Sequence, residues 1–257
     1  MPILESFKTT YRNRTFVRLV AAFALLIVAF QLVMGFNNYI TIFYLFHGDT
    51  SAASSIMAYN GTLWAVVGLA GAFPMAWLSK RFGKRFTVIF ALALIIGGNL
   101  SKIICYNPAL PYLTMIPTAC LSLGMVIGFS LVNAMIADIC DEDELVTGIR
   151  REGIYFAVYN WWWKVAVSIA TVVSGYLQRY TGFVEGSQTQ TDSTLFQLRA
   201  WEIGLPPALC LISVWLLFKY PLTESRAYEI KAQLAERKKQ NGAGVLNASV
   251  ANAPTKS

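Results

Sequence analysis

Long apolar runs recur along the chain, separated by short polar breaks. Six of them predict helices: Val17–Phe46, Ile56–Leu78, Phe86–Cys105, Pro111–Ala137, Ile154–Leu177 and Ile203–Phe218. A helix of about 20 apolar residues crosses a bilayer core, so these runs read as membrane spans, the last one short. The first is longer than a bilayer requires and changes polarity at Asn37-Asn38, which predicts a tilt or a locally loosened turn. Gly124-x-x-x-Gly128 and the small residues Gly68, Ala70, Gly71 and Ala72 allow helices to approach closely. Beyond the last run, Thr223–Lys239 sets Tyr228, Ile230, Leu234 and Ala235 among charges, the pattern of an amphipathic helix. Asn241–Ser257 is small, polar and aperiodic and is expected to be disordered. The expected organisation is therefore a polar segment 1–16, a six-helix transmembrane domain 17–219, an amphipathic helix 220–240 and a tail 241–257.

Composition agrees with lipid as the solvent. Hydrophobic residues make up 56% of the chain and charged residues 14%, unlike an ordinary soluble domain. Pro2 to Arg18 is polar and basic, without the apolar core of a signal peptide. The 21 Lys and Arg residues fix an expected orientation. With both termini cytoplasmic, 17 of them lie inside: four in residues 1–18, four in Lys80–Arg85, Arg150 and Arg151, and seven from Lys219 onward. Lys102, Arg179 and Arg199 then fall outside or at the outer rim, and Lys164 lies within the membrane. That is the positive-inside distribution, and the opposite orientation inverts it. The net charge of +7 thus reports topology and gives no reason to invoke nucleic acid.

Catalytic chemistry finds no foothold. Cys105, Cys120, Cys140 and Cys210 have no metal-like spacing, and the chain carries no nucleophile–base pair, phosphate-cradling loop or metal-ligand cluster. The expectation is a protein that is not an enzyme and holds no cofactor.

One charge stands out. Lys164 is the sole charged residue between Ile154 and Leu177 and sits ~15 Å along that run, about the bilayer midplane. An ammonium there costs at least ~2.5–3.5 kcal/mol on insertion scales. Snorkelling to the headgroups is one outlet, and a partnered functional lysine is the other. Asn160 lies one turn away on the same face, Tyr155 and Tyr159 are close to it, and Trp161, Trp162 and Trp163 surround it with large rings. Aromatic faces with amide and ammonium donors suit a sugar ring, although Trp161 and Trp162 equally suit lipid or helix packing.

Two cytoplasmic loops add to this. Trp77–Arg85 carries a glycine turn between basic residues. From Asp138 to Gly153, six acids and two arginines crowd a short segment. Asp138 and Asp141 share a face at the inner end of the fourth helix, where the helix dipole disfavours them, so Arg150 and Arg151 are expected partners. Such pairs can latch one conformation, or be a plain solvated charge run.

The first loop resembles the loop motif of the major facilitator superfamily, with Ser79 and Lys80 where the motif's acid stands. The second resembles the glycoside–pentoside–hexuronide:cation symporter (melibiose permease-like) family of that superfamily. There, an Asp-x-x-Asp ending the tenth helix is followed by an acid, an Arg-x-Glu and a lysine in the eleventh helix. Here these are Asp138, Asp141, Glu144, Arg150, Glu152 and Lys164. The Asn13-Arg14 entry and the basic tail are similar too. The resemblance covers about residues 10–239 and only the C-terminal half of a family member, helices seven to twelve.

It implies an all-α integral membrane fold, a six-transmembrane-helix half of a major facilitator bundle. The implied function is sugar or glycoside symport, driven by Na+ or H+ and working by alternating access. The implied substrate-binding residues are Lys164, Asn160, Phe129, Tyr159 and Trp163, and the implied cytoplasmic gate is Asp138, Asp141, Glu144, Arg150 and Glu152. The family's cation site belongs mainly to the N-terminal helices. The helix boundaries above leave all 14 Asp and Glu in loops, tails or helix ends, so Lys164 is expected to find its counter-charge elsewhere. Expected partners are thus a sugar, a monovalent cation, the bilayer, and an N-terminal six-helix half (on the same product or a separate chain) or a second copy. A bacterial inner membrane is the expected location. A non-transporting receptor or scaffold, and a facilitator of non-sugar substrates, remain alternative readings.

Overall fold

The computed structural model describes residues 10–187 and 189–251, with side chains to residue 237. Seven helices account for most of it. α1 (Arg14–Tyr39) continues as a π-helical turn, Ile40–Leu45, and is followed by α2 (Thr50–Phe82) and α3 (Lys84–Cys105). A 3-10 turn, Pro111–Thr114, leads into α4 (Met115–Thr147), and α5 (Glu152–Tyr180), α6 (Asp192–Phe218) and α7 (Glu224–Ala251) complete the order.

Local chemistry sets the starts and turns. Asn13 caps α1 by accepting from the backbone N–H of Thr15 at 3.0 Å and Phe16 at 3.1 Å, and its Nδ2 donates to the Tyr155 hydroxyl of α5. Asp49 caps α2 in the same way. Gly83 separates α2 from α3 with φ +83°, a conformation that side-chain-bearing residues rarely adopt. The loosened turn expected near Asn37-Asn38 is present as the π turn that starts at Ile40, with Thr41 Oγ1 donating to the Asn37 carbonyl at 2.8 Å.

α1 is the central staff of the bundle, packed along α5 and α6. α3 packs on α4 and α6, while α2 touches mainly α4 and is otherwise exposed. The main core runs through Phe16, Phe23, Leu26, Leu92, Met125 and Tyr155, and a smaller one gathers Leu32, Phe36, Ile40 and Leu198 at the far end. Closeness between α3 and α4 depends on Gly124, where a Cβ would lie 2.6 Å from Ile95 Cγ1 and 2.8 Å from the Ala91 carbonyl.

Five helical segments are long and apolar enough to cross a membrane: α1 with its π turn, α2, α3, α4 with its 3-10 turn, and α6. α5, at 29 residues, has the length, but its polar positions and its aromatic rings lower its hydropathy. It nonetheless traverses the bundle beside α1, bonded to Asn13 through Tyr155 at one end and to the Gly35 carbonyl through Gln178 at the other.

Three boundaries differ most from expectation. α4 does not stop at Ala137 but carries its acids in helical register to Thr147, because cations from other elements neutralise them. α6 starts at Asp192 instead of Ile203, capped by Thr191, so Arg199 and Glu202 lie inside it. α7 runs past Asn241 to Ala251, a formed helix extending without a new nucleation step. Residues 252–257 of the expected disordered tail lie outside the described residues.

Candidate transport site and its charged ends

At the end of the bundle where α4 stops, Asp138 is 4% exposed and holds two cations. Lys84, at the start of α3, bonds its Oδ2, and Lys231 of α7 bonds Oδ1 at 2.8 Å. The expected choice of Arg150 for Asp138 or Asp141 resolves to Asp141 alone, at 3.5 Å. Arg150 sits closer to Glu144 at 3.1 Å and Glu152 at 2.7 Å, and it is half exposed. Asp138 instead takes Lys84 and Lys231, one on each oxygen. Arg151 is buried and grips Asp143 with a two-pronged bond, Nε at 3.0 Å and Nη2 at 2.9 Å. The five expected gate residues thus divide between two clusters. Lys84, Lys231, Arg151 and Asp143 belong with them as well. The hydrogen bond to Asp138, joined by the neighbouring carboxylates, raises the pKa of Lys231 above its usual 10.5 despite partial burial.

Near the middle of α5 the five expected substrate residues separate into a cluster and a face. Phe129 of α4 and Trp163 of α5 pack with ring centroids 4.9 Å apart, and buried Tyr159 meets Trp163 edge-on at 6.3 Å. Asn160 and Lys164 lie beside this cluster on the exposed face of α5. Asn160 Nδ2 donates to its own helix at the Phe156 carbonyl, 2.9 Å away. Among the described residues no side chain bonds the Lys164 ammonium. Ser168 and Thr171 extend the same exposed stripe, and Ser130 and Asn133 are exposed on neighbouring α4. A polar stripe with a bare ammonium at mid-helix is costly against lipid tails and favourable against water or another polar helix face.

The opposite end holds a network that the sequence reading did not place. Lys102 of α3 and Glu202 of α6 are 1% and 0% exposed, with Nζ 2.7 Å from Oε1. The Tyr106 hydroxyl donates to the same oxygen at 2.8 Å and accepts from Asn37 Nδ2 of α1 at 3.2 Å. Arg199, one turn before Glu202, places its guanidinium 3.9 Å from the centre of the Tyr44 ring. Two expectations are corrected here. Lys102 is a buried partner, not a rim charge, and the chain does carry an acid within a membrane helix. The missing signal was legible in part: Thr191-Asp192-Ser193 is a helix-start signature that would have drawn α6 back across Glu202.

Comparison with known proteins fits this geometry. The family model described as MFS/sugar transport protein matches residues 1–224, which include all six helices of the bundle. An uncharacterized symporter of Synechocystis is 24% identical over 94% of this chain and 44% of its own length. A putative sulfoquinovose importer of Salmonella typhimurium is 27% identical over 92% of this chain and 48% of its own. A glucuronide carrier protein homolog of Escherichia coli is 24% identical over 68% and 38% respectively. The chain therefore spans about half the length of the curated relatives it matches. With the match running from the first bundle helix to the last, the chain is a multi-pass membrane protein that belongs to the MFS/sugar transport protein family.

Proposed function

We propose that the chain supplies the C-terminal half of a cation-coupled sugar or glycoside symporter that works by alternating access. The observation that carries this is the bare Lys164 ammonium in a polar stripe, beside the Phe129–Trp163–Tyr159 cluster. A second six-helix unit facing that stripe would enclose a solute at mid-depth, where secondary transporters bind. Lys164 then meets the carboxylates of that unit, and the coupling cation, Na+ or H+, competes with it for them. Asn160 hydrogen-bonds the sugar or orients Lys164, and Phe129 and Trp163 offer ring faces. The facing unit is the rest of a longer product, a separate chain or a second copy. The charge distribution supports cytoplasmic termini in a bacterial inner membrane.

The test is uptake of labelled glycosides into proteoliposomes under an imposed Na+ or H+ gradient, with the chain alone and with an N-terminal six-helix half. Gradient-driven accumulation that needs both halves and is lost in Lys164→Ala is the expected result. Accumulation by the Lys164→Ala pair equal to that of the unaltered pair would overturn the assignment.

A further inference from the structure

A groove of about 540 Å3 follows the seam between the first half of α1 and the middle of α5. Val17, Ala21 and Val28 line it from α1 and Val165 and Ile169 from α5, while Tyr11 and Trp162 stand at the end nearer the start of α1. We propose that the groove holds one acyl chain of an anionic phospholipid whose phosphate is met by Arg14 and Arg18.

Depth and lining fit a lipid tail. From Val17 to Val28 the helix rises about 16 Å, and one leaflet holds about 15 Å of hydrocarbon. Among the described residues no charged or amide side chain lines the groove. At its end Trp162 Nε1 donates to the Tyr11 hydroxyl at 3.0 Å. An indole N–H cannot accept, so the exposed phenol keeps its own proton, and no acceptor among the described residues takes it. Tyrosine and tryptophan favour the headgroup level of a bilayer, where a lipid ester or phosphate oxygen accepts that proton.

Charge selects the headgroup. Arg14 precedes Val17 by one turn on the same stripe of α1, just beyond the apolar lining, and it is exposed. Arg18 spends one N–H on the Lys219 carbonyl, 2.8 Å away, and keeps the rest of its fork for a phosphate. Among the described residues no acid pairs with either arginine. A net-negative lipid neutralises them, whereas a zwitterionic one brings its own cation to the same place. The groove also stays clear of the polar stripe: at about 100° per residue, α5 turns Trp162, Ala166 and Ile169 roughly opposite to Asn160, Lys164 and Thr171. A unit that meets Lys164 therefore leaves this side to the bilayer.

Lipid retention can fail while transport holds, and the reverse, so the two readings are separable. The experiment is native mass spectrometry of the delipidated full chain, titrated with dioleoyl phosphatidylglycerol or dioleoyl phosphatidylcholine. One saturable phosphatidylglycerol adduct, forming at a concentration at least tenfold below the phosphatidylcholine adduct, is expected. Each basic residue near an anionic surface is worth roughly fivefold, so Arg14→Gln with Arg18→Gln should erase that preference. Lys80→Gln with Arg81→Gln, exposed charges on α2, should leave it intact. Ala24→Phe, which fills the groove, should weaken both lipids at least tenfold, and Val165→Trp replaces it if its helical circular dichroism is lost. No saturable adduct, equal affinity for the two lipids, an unchanged preference without the arginines, or full affinity in the folded groove variant would each overturn the site. Release of the lipid on adding an N-terminal six-helix half would overturn it too, by giving the groove to a helix of that unit.

Discussion

Lys102 and Lys164 are both ammonium groups carried by helices of one membrane bundle, and the fold treats them in opposite ways. Lys102 is sealed against Glu202 and Tyr106 on three elements' worth of contacts, with no charge left over. Lys164 is bonded by no side chain among the described residues. A buried ion pair of the first kind is costly to break and does little else, since desolvation consumes most of the mutual attraction. An unpaired charge on an exposed face contributes nothing to the stability of its own bundle and so is free to respond to an arriving partner. The pairing separates a structural lysine from a candidate site lysine, although both stand in apolar sequence.

The largest effect should come from breaking the sealed pair. Lys102→Ala or Glu202→Gln leaves one buried group without its partner and should destabilise the bundle by about 3–5 kcal/mol. Thermal unfolding followed by a thiol-reactive dye reads this directly, because Cys105, Cys140 and Cys210 are buried. The double change Lys102→Met with Glu202→Leu should recover most of the loss. Equal instability of double and single variants would show that the pair does more than neutralise itself.

Lys164→Ala should sharpen the contrast by doing the reverse. Its thermal transition should stay within about 0.5 kcal/mol of the unaltered chain, as for surface substitutions elsewhere. Uphill accumulation in the paired system should disappear, and Lys164→Arg should restore it only in part, since a planar fork does not replace a compact point charge between carboxylates. A large loss of stability in Lys164→Ala would erase the distinction between the two lysines.

The Asp138 clasp is intermediate. Lys231 is half exposed, and Lys84 remains when it is removed, so Lys231→Ala should cost about 0.5–1 kcal/mol and speed limited proteolysis of α7. The sign of its pH dependence follows from the raised pKa. The lysine's contribution is complete below its unfolded value, 10.5, and fades as pH rises through the higher folded value. Proteolysis of α7 should therefore be no faster at pH 9 than at pH 7. Smallest of all, Arg150→Ala should shift stability by less than about 0.5 kcal/mol, because its three carboxylates meet it at an exposed surface. A change confined to transport rate, partly restored by reversing charge at both Arg150 and Glu144, would mark it as a latch. Identical single and double variants would not.

How much of this was legible in the sequence follows from where each charge finds its partner. The six long helices were readable because apolar runs against lipid need no tertiary information. Helix ends were misplaced where charges entered, at Asp138 on α4 and Glu202 on α6. There the deciding partners, Lys84, Lys231 and Lys102, come from other helices, and no local pattern announces them. The Asn160–Lys164 face followed from a spacing of four. The Phe129–Trp163 stack joins two helices, so residue spacing could not reveal it, and a family resemblance was required to bring Phe129 into view. Nor could composition separate the sealed lysine from the bare one: that took the start of α6 at Asp192, well before the apolar run at Ile203.

The π turn at the end of α1 has a geometric consequence. It holds one residue more than an α turn, so tightening it into α geometry would draw the following chain along by ~1.5 Å and rotate it by about 100°. Tyr44, under the Arg199 guanidinium, and Phe43, edge-on to Phe183, lie within that segment. Both contacts would have to let go together and reform in a new register. A change of register at the tip of the bundle's central helix would therefore be a step between discrete seats, not a gradual bend.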